Sequence, residues 1–218
     1  MLVFSHQEHI ESYYSTTRNQ HFDLPALTEK ASADVCVVGA GFFGLSTALE
    51  LAEQGKRVIV LEGARVGFGA SGRSGGQAIN GFEDDIDEYI EQVGLETTRK
   101  LWQMSLEAID IIDERIAKYG IQCDWKKGYA TLALNTRRME DLVAIEKASR
   151  EIFGYQNMQL WDKAKLEQHL GSKIYCGALY DSNSGHLHPL NYCLGLAKAC
   201  LDLGVRIYEQ SPAVDLRE

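Results

Sequence analysis

The stretch "DVCVVGAGFFGLSTALELAEQGKRVIVLE", Asp34 to Glu62, decides how this chain is read. "DVCVVG" is a short apolar, β-branched run that ends in glycine. "FFGLSTALELAEQG" then carries Leu45, Leu49 and Leu51 at helical spacing until Gly55, and "KRVIVLE" is a second apolar run. The pattern predicts strand, helix, strand. Gly39, Gly41 and Gly44 form GxGxxG at the first junction, and Glu62 ends the second strand. Gly39 permits a tight turn, Gly41 lets a pyrophosphate approach the backbone, and Gly44 lets helix and strand pack closely. The helix N-terminus offers unpaired N–H groups to the same phosphates. An acidic Glu62 accepts hydrogen bonds from ribose hydroxyls and argues against a 2′-phosphate, which disfavours NADP. Glu62 does not separate NAD from FAD, because both carry the same adenosine, ribose and pyrophosphate.

Just downstream, "VGFGASGRSGGQ" (Val66 to Gln77) spends five glycines, two serines and an arginine on twelve positions, a composition that predicts neither helix nor strand. It leaves the C-terminal edge of the sheet, where its main-chain N–H groups and the side chains of Ser71, Arg73 and Ser74 can reach an extended ligand.

Working outward, residues 1–32 have no sustained period and are expected to form an irregular arm, and residues 33–82 the first part of a nucleotide-binding domain. Residues 83–185 read as an inserted helical and strand-containing substrate domain. Within it lie one or two amphipathic helices over 87–120, a strand at "YATLAL" (129–134) and a helix from "TRRMED" capped by Asn135 or Thr136. A short helix at Lys163–Leu170 and a strand at "CGALY" (176–180) follow. Residues 186–218 resume the first domain with a helix that has Pro189 in its first turn, the strand "VRIYE", and "AVDLRE". Asp84 and Asp85 are expected to start a solvated helix, favoured by its positive dipole end.

Composition narrows the partners. With 45% hydrophobic and 24% charged residues the chain can bury a core. Its net charge of −9 removes the simple electrostatic route to nucleic acid or an anionic membrane and leaves a small molecule as partner. Five cysteines without a CxxC pair, no basic-then-apolar leader and no span-length apolar stretch predict a cytoplasmic protein with reduced thiols. His186 and His188 form an HxH pair without a nearby third ligand, so no metal is expected. Cys193 and Cys200 are expected to pack in a helix core.

The segment from Asp34 to Gln77 resembles the flavin-binding N-terminus of the FAD-dependent D-amino acid oxidase superfamily (the DAO family). "SYY", "RIAKYGIQCDW" and "GALYDSNSGHLHPLNYCLGLA" extend the likeness over most of the chain, nearest to its gamma-glutamylputrescine oxidase branch. The resemblance implies an α/β fold: a Rossmann-like FAD-binding βαβ domain of the glutathione-reductase type with an inserted α+β substrate domain. It implies that Gly39, Ala40, Gly41, Phe42, Phe43 and Gly44 line the pyrophosphate, and that Glu62 binds the adenosine ribose with Gly63 and Arg65 beside it. Ala70, Ser71, Gly72, Arg73, Gly75, Gly76 and Gln77 would run along pyrophosphate, ribityl and flavin, and the Val214 backbone would touch adenine.

The implied reaction takes a hydride from an amine C–N bond to FAD, hydrolyses the imine to aldehyde and ammonia, and passes the electrons to molecular oxygen as peroxide. Gamma-glutamylputrescine would give gamma-glutamyl-aminobutyraldehyde, a step of putrescine catabolism. A flavin supplies the electron sink, so no protein nucleophile is required, and the residues designate no catalytic group. Oxidation of another amine or amino acid, such as sarcosine or glycine, and a non-catalytic FAD-binding fragment are the alternatives. Members of the family are longer, so the chain is expected to be a truncated product. Nothing in the sequence fixes its oligomeric state.

Overall fold

A computed structural model describes residues 7–81 and 86–216; Asp84 and Asp85, and with them the expected charged helix start, lie outside these. The chain divides into two compact units, one formed by residues up to 76, 115–124 and 187 onward, the other by 77–114 and 125–186.

In the first unit β1 (Val35–Val38), α2 (Phe42–Glu53) and β2 (Val58–Leu61) follow one another as the apolar periods require. Gly44, Leu45, Ala48 and Leu49 give α2 one buried face. The third strand, β7 (Arg206–Tyr208), arrives from far along the chain. All three are parallel in the order β1-β2-β7, with Val35 opposite Val58 and Ile59 opposite Arg206. Val58, Ile59 and Val60 of the central strand are buried, whereas on β1 the alternation leaves Cys36 and Val38 outward, Val38 at 66% exposed. Helix α7 (Pro189–Asp202) packs on α2 and is buried on most sides, with Leu190, Leu194, Leu196 and Cys193 in its core. Each fully buried leucine contributes about 1.5–3 kcal/mol relative to exposure.

The expected irregular arm contains one short helix, α1 (Tyr13–Thr16), closed by a capping box between Ser12 and Ser15. Residues 115–124, expected within the insertion, belong to the first unit because Lys118 and Tyr119, at the end of α4 (Leu95–Tyr119), both bond Glu53 of α2.

The second unit is built on β6 (Gly177–His186), antiparallel to β4 (Lys126–Ala133) along one edge and to β5 (Met158–Asp162) and β3 (Gln77–Ala78) along the other. Helix α3 (Ile86–Val93) and α4 fill the expected two-helix span. Helix α5 (Thr136–Phe153) starts at an Asn135 cap whose side chain accepts the Arg138 N–H, and its Leu142 packs on Ala133 and Leu179. On another cluster Trp161 joins Ala178 and Leu166 of α6 (Lys163–Glu167).

Candidate functional site

Between β1 and α2 the chain makes the turn that the glycine spacing predicts. Gly39 has φ +101°, and its N–H donates to Leu61 O at 2.8 Å, tying the turn to the end of β2. A Cβ on Gly44 would lie 1.9 Å from Gly39 O, so only glycine permits this packing of helix on turn. Gly41 is the N-cap of α2 in an extended conformation and has no side chain to satisfy the first turn. The Phe43 and Gly44 amides, by their place in that turn, have no intrahelical acceptor.

Glu62 closes the turn from below. One carboxylate oxygen accepts the Ala40 N–H at 2.7 Å and the other accepts the Ala64 N–H at 2.9 Å. The glycine-rich loop returns to the same place: Gly67 N–H donates to Ala40 O at 2.9 Å, and Ser71 Oγ accepts the Phe42 N–H at 3.0 Å. This loop is not devoid of regular structure, as its composition had implied. Ala70–Arg73 forms a 3₁₀ turn and Gln77–Ala78 forms β3. The turn is dense enough that a Cβ on Gly72 would meet Gly67 O at 2.1 Å.

The structure thus brings Gly39, Ala40, Gly41, Phe42, Phe43, Gly44, Glu62, Gly63 and Ser71 to the C-terminal end of β1 and β2. Phe43 stands 88% exposed on the first turn of α2. Ala70 and Gly72 flank Ser71 in the 3₁₀ turn. Arg73 folds back on its own loop, its Nε donating to Gly69 O and its guanidinium lying 5.2 Å from the Phe68 ring. Gly75 is exposed, Gly76 is held by Leu187 N–H on its carbonyl at 2.8 Å, and Gln77 pairs with His186 in the second unit. Val214 is 85% exposed in the irregular segment after β7.

Arg65, three residues after Glu62, is held by carboxylates. It is 9% exposed, and its guanidinium is bonded to three carboxylates: Glu8 at 2.6 Å, Glu209 at 2.7 Å and Asp23 at 3.1 Å. The hydrogen bonds it donates to Glu8 raise its pKa further, with smaller contributions from Glu209 and Asp23 against the cost of burial. Glu209, 1% exposed, also accepts the Val66 N–H at 2.8 Å and the Leu24 N–H at 3.2 Å. Sequence reasoning passed over Glu209, although an acid directly after the strand "VRIY" repeats the placement of Glu62 after "VIVL".

A buried polar cluster in the second unit was also not anticipated. Tyr155 donates to Asp181 Oδ1 at 2.7 Å, Ser184 bonds Asp181 Oδ2 and Asn80 Oδ1 at 2.7 Å each, and the Asn183 N–H reaches Asp181 at 3.0 Å. His186 and His188 do not share a face: His186 is the exposed last residue of β6 and His188 the buried N-cap of α7. Among the described residues no group of His, Cys, Asp or Glu could hold a metal ion, and no helix is long and apolar enough to cross a membrane. Cys193 and Cys200 are buried in α7, and burial pushes the Cys200 thiol up to about 12.

The site has the features a dinucleotide requires. Gly41 leaves a cradle that its own Cβ would fill, since that atom would come within 2.7 Å of Ser71 Oγ. Amides of the first turn of α2 border that space, and a carboxylate stands at the end of β2.

Comparison with known proteins is consistent with this geometry. The family described as FAD dependent oxidoreductase (DAO) matches residues 34–218. A probable oxidoreductase OrdL of Haemophilus influenzae is 76% identical over the whole chain and 51% of its own length. The gamma-glutamylputrescine oxidoreductase of Escherichia coli is 41% identical over 96% of the chain and 49% of its own length. Among solved structures, the L-amino acid deaminase from Proteus vulgaris superposes with a TM-score of 0.70 at 25% identity, over 91% of this chain and 44% of that one. The chain spans about half the length of the curated relatives it matches.

Proposed function

The chain belongs to the DAO family of FAD dependent oxidoreductases, and from that premise we propose that it binds FAD on the Gly39–Gly44 turn and serves the oxidation of an amine C–N bond. The observation that carries this reading is the N-cap at Gly41, where a side chain would press on Ser71, bordered by the first-turn amides of α2 and closed by Glu62. The amides of Phe43 and Gly44 hold pyrophosphate oxygens. Glu62 orients the ribose while keeping Ala40 and Ala64 in place. Ala70, Ser71, Gly72, Arg73, Gly75, Gly76 and Gln77 supply the remaining contacts along the cofactor, and Arg65 acts on the site from within its carboxylate cage by fixing the loop that follows Glu62.

FAD, when bound, would supply the electron sink for the hydride, with its two electrons, leaving the amine carbon. The balanced overall change is a primary amine, oxygen and water giving an aldehyde, ammonia and hydrogen peroxide. The substrate we favour is gamma-glutamylputrescine, supported by the 41% identity to a protein named for acting on it. A reducing compartment such as the cytoplasm is the one we favour, since the sequence spaces its five cysteines without a CxxC pair.

The test is the visible spectrum and the peroxide yield of the purified chain and of a full-length protein containing it. Bound flavin released as FAD, with peroxide formed from gamma-glutamylputrescine, is the expected result. Turnover confined to sarcosine or glycine would overturn the substrate, and a flavin-loaded protein that oxidises no amine would overturn the activity. A colourless protein that takes up no FAD would overturn the cofactor site.

A further inference from the structure

His188 occupies a place where its charge state is tied to its hydrogen bonds. It is 6% exposed and is the N-cap of α7, its Nδ1 accepting the Asn191 N–H at 3.1 Å. An amide can only donate, so Nδ1 must be unprotonated and the neutral ring carries its hydrogen on Nε2. Nε2 lies 3.0 Å from Thr17 Oγ1, which in turn donates to Tyr13 O at 2.5 Å. The chain of donors therefore runs one way: Asn191 N–H to Nδ1, Nε2–H to Thr17, Thr17 O–H to Tyr13 O. The Tyr14 ring meets the imidazole edge-on at 5.0 Å, and Asn19, two residues beyond Thr17, donates its N–H to Asn191 Oδ1 at 2.9 Å. Both halves of this arrangement, the arm and the start of α7, lie in the first unit.

We propose that His188 is a proton-sensitive latch, holding residues 12–19 of the N-terminal arm on the start of α7 and releasing them when its imidazole protonates. A second ring proton has to sit on Nδ1, where it faces the Asn191 N–H and breaks the cap. The resulting cation would also stand at the positive end of the α7 dipole, with no acidic residue in the first turn to offset it. Among the described residues, the titratable groups that act on the ring are Tyr13 and Tyr14, whose rings pack on it, and Asp124 from the loop after α4, through its charge. Burial holds the ring below its ordinary range, against the opposing pull of its own main chain and of Asp124. With the folded pKa below the unfolded one, the latch is at full strength above the unfolded pKa of about 6.5 and weakens as pH falls through the folded value.

This inference is independent of the flavin reading. Its test is hydrogen exchange, read by mass spectrometry and corrected for intrinsic rates, across residues 12–19 from about pH 8 to about pH 5. Protection should fall by up to about tenfold per pH unit once the ring titrates. His188→Asn keeps a short N-cap acceptor that does not titrate, so its arm protection should be independent of pH; this also separates His188 from His9, a half-buried histidine of the arm. Thr17→Val should lower arm protection at every pH while α7 stays protected. A flat wild-type profile, a His188→Asn variant that follows the wild-type curve, or an arm unaffected by Thr17→Val would each overturn the proposal.

Discussion

Glu62 and Ala40, twenty-two positions apart, meet through a 2.7 Å bond from the Ala40 N–H to the Glu62 carboxylate. The residue proposed to bind ribose therefore also holds the turn that would bind pyrophosphate. Glu62→Ala removes both functions together and should weaken FAD binding by about 1–3 kcal/mol, roughly 5- to 150-fold in Kd. Flavin-fluorescence titration measures this directly. An unchanged Kd would remove Glu62 from the site.

Gly41 and Ser71 allow fold and cofactor effects to be separated. Gly41→Ala places a Cβ 2.7 Å from Ser71 Oγ and should lower Tm. Adding Ser71→Ala relieves that clash at the cost of the bond to Phe42 N–H, about 1 kcal/mol for a lost cap. The double variant should regain most of the Tm lost by Gly41→Ala but still bind FAD poorly, because the added methyl remains in the cradle. Recovery of both together would mean that the cradle is only a packing feature.

At Gly44 the contact is with backbone, which cannot swing away. Gly44→Ala should cost about 1–3 kcal/mol or more, since the new Cβ would lie 1.9 Å from Gly39 O. Gly69→Ala is the control: nothing lies within 4 Å and its φ is −70°, so its stability should stay within about 0.5 kcal/mol of wild type. Urea unfolding of the two variants compares them.

Glu209 and Asp23 both contact Arg65, but their exposures are 1% and 83%. Glu209→Ala leaves a buried guanidinium and the Val66 N–H without their inner partner and should cost about 3–5 kcal/mol. Asp23→Ala removes a solvated partner and should cost less than about 1 kcal/mol. Equal effects in chemical denaturation would contradict the cage described above.

The strand, turn and helix at Asp34–Glu62 were legible because three local signals agree there: apolar runs, glycine spacing and a terminal acid. β6 was only half legible. Its second part, "DSNSGH", is built from residues depleted in strands, and it holds an extended form because neighbouring strands pair with both of its edges. β3 and β5 were too short or too exposed to show a period. The surroundings of Arg65 were illegible for another reason: its innermost partner lies 144 residues away, and no local pattern reports a contact of that range.

That separation bears on how the chain folds. Bringing Glu209 to Arg65 across a flexible loop of such length would cost about 4 kcal/mol in closure entropy. The cost is reduced if the nested unit folds first, because its own sheet pairs Gln77 with His186 and so draws its entry and exit points together. β3 has only two residues, yet it turns a long tether into a short one. The order in time follows: the insert should fold before the third strand joins the first sheet, and loss of the β3–β6 pairing should slow refolding more than it speeds unfolding.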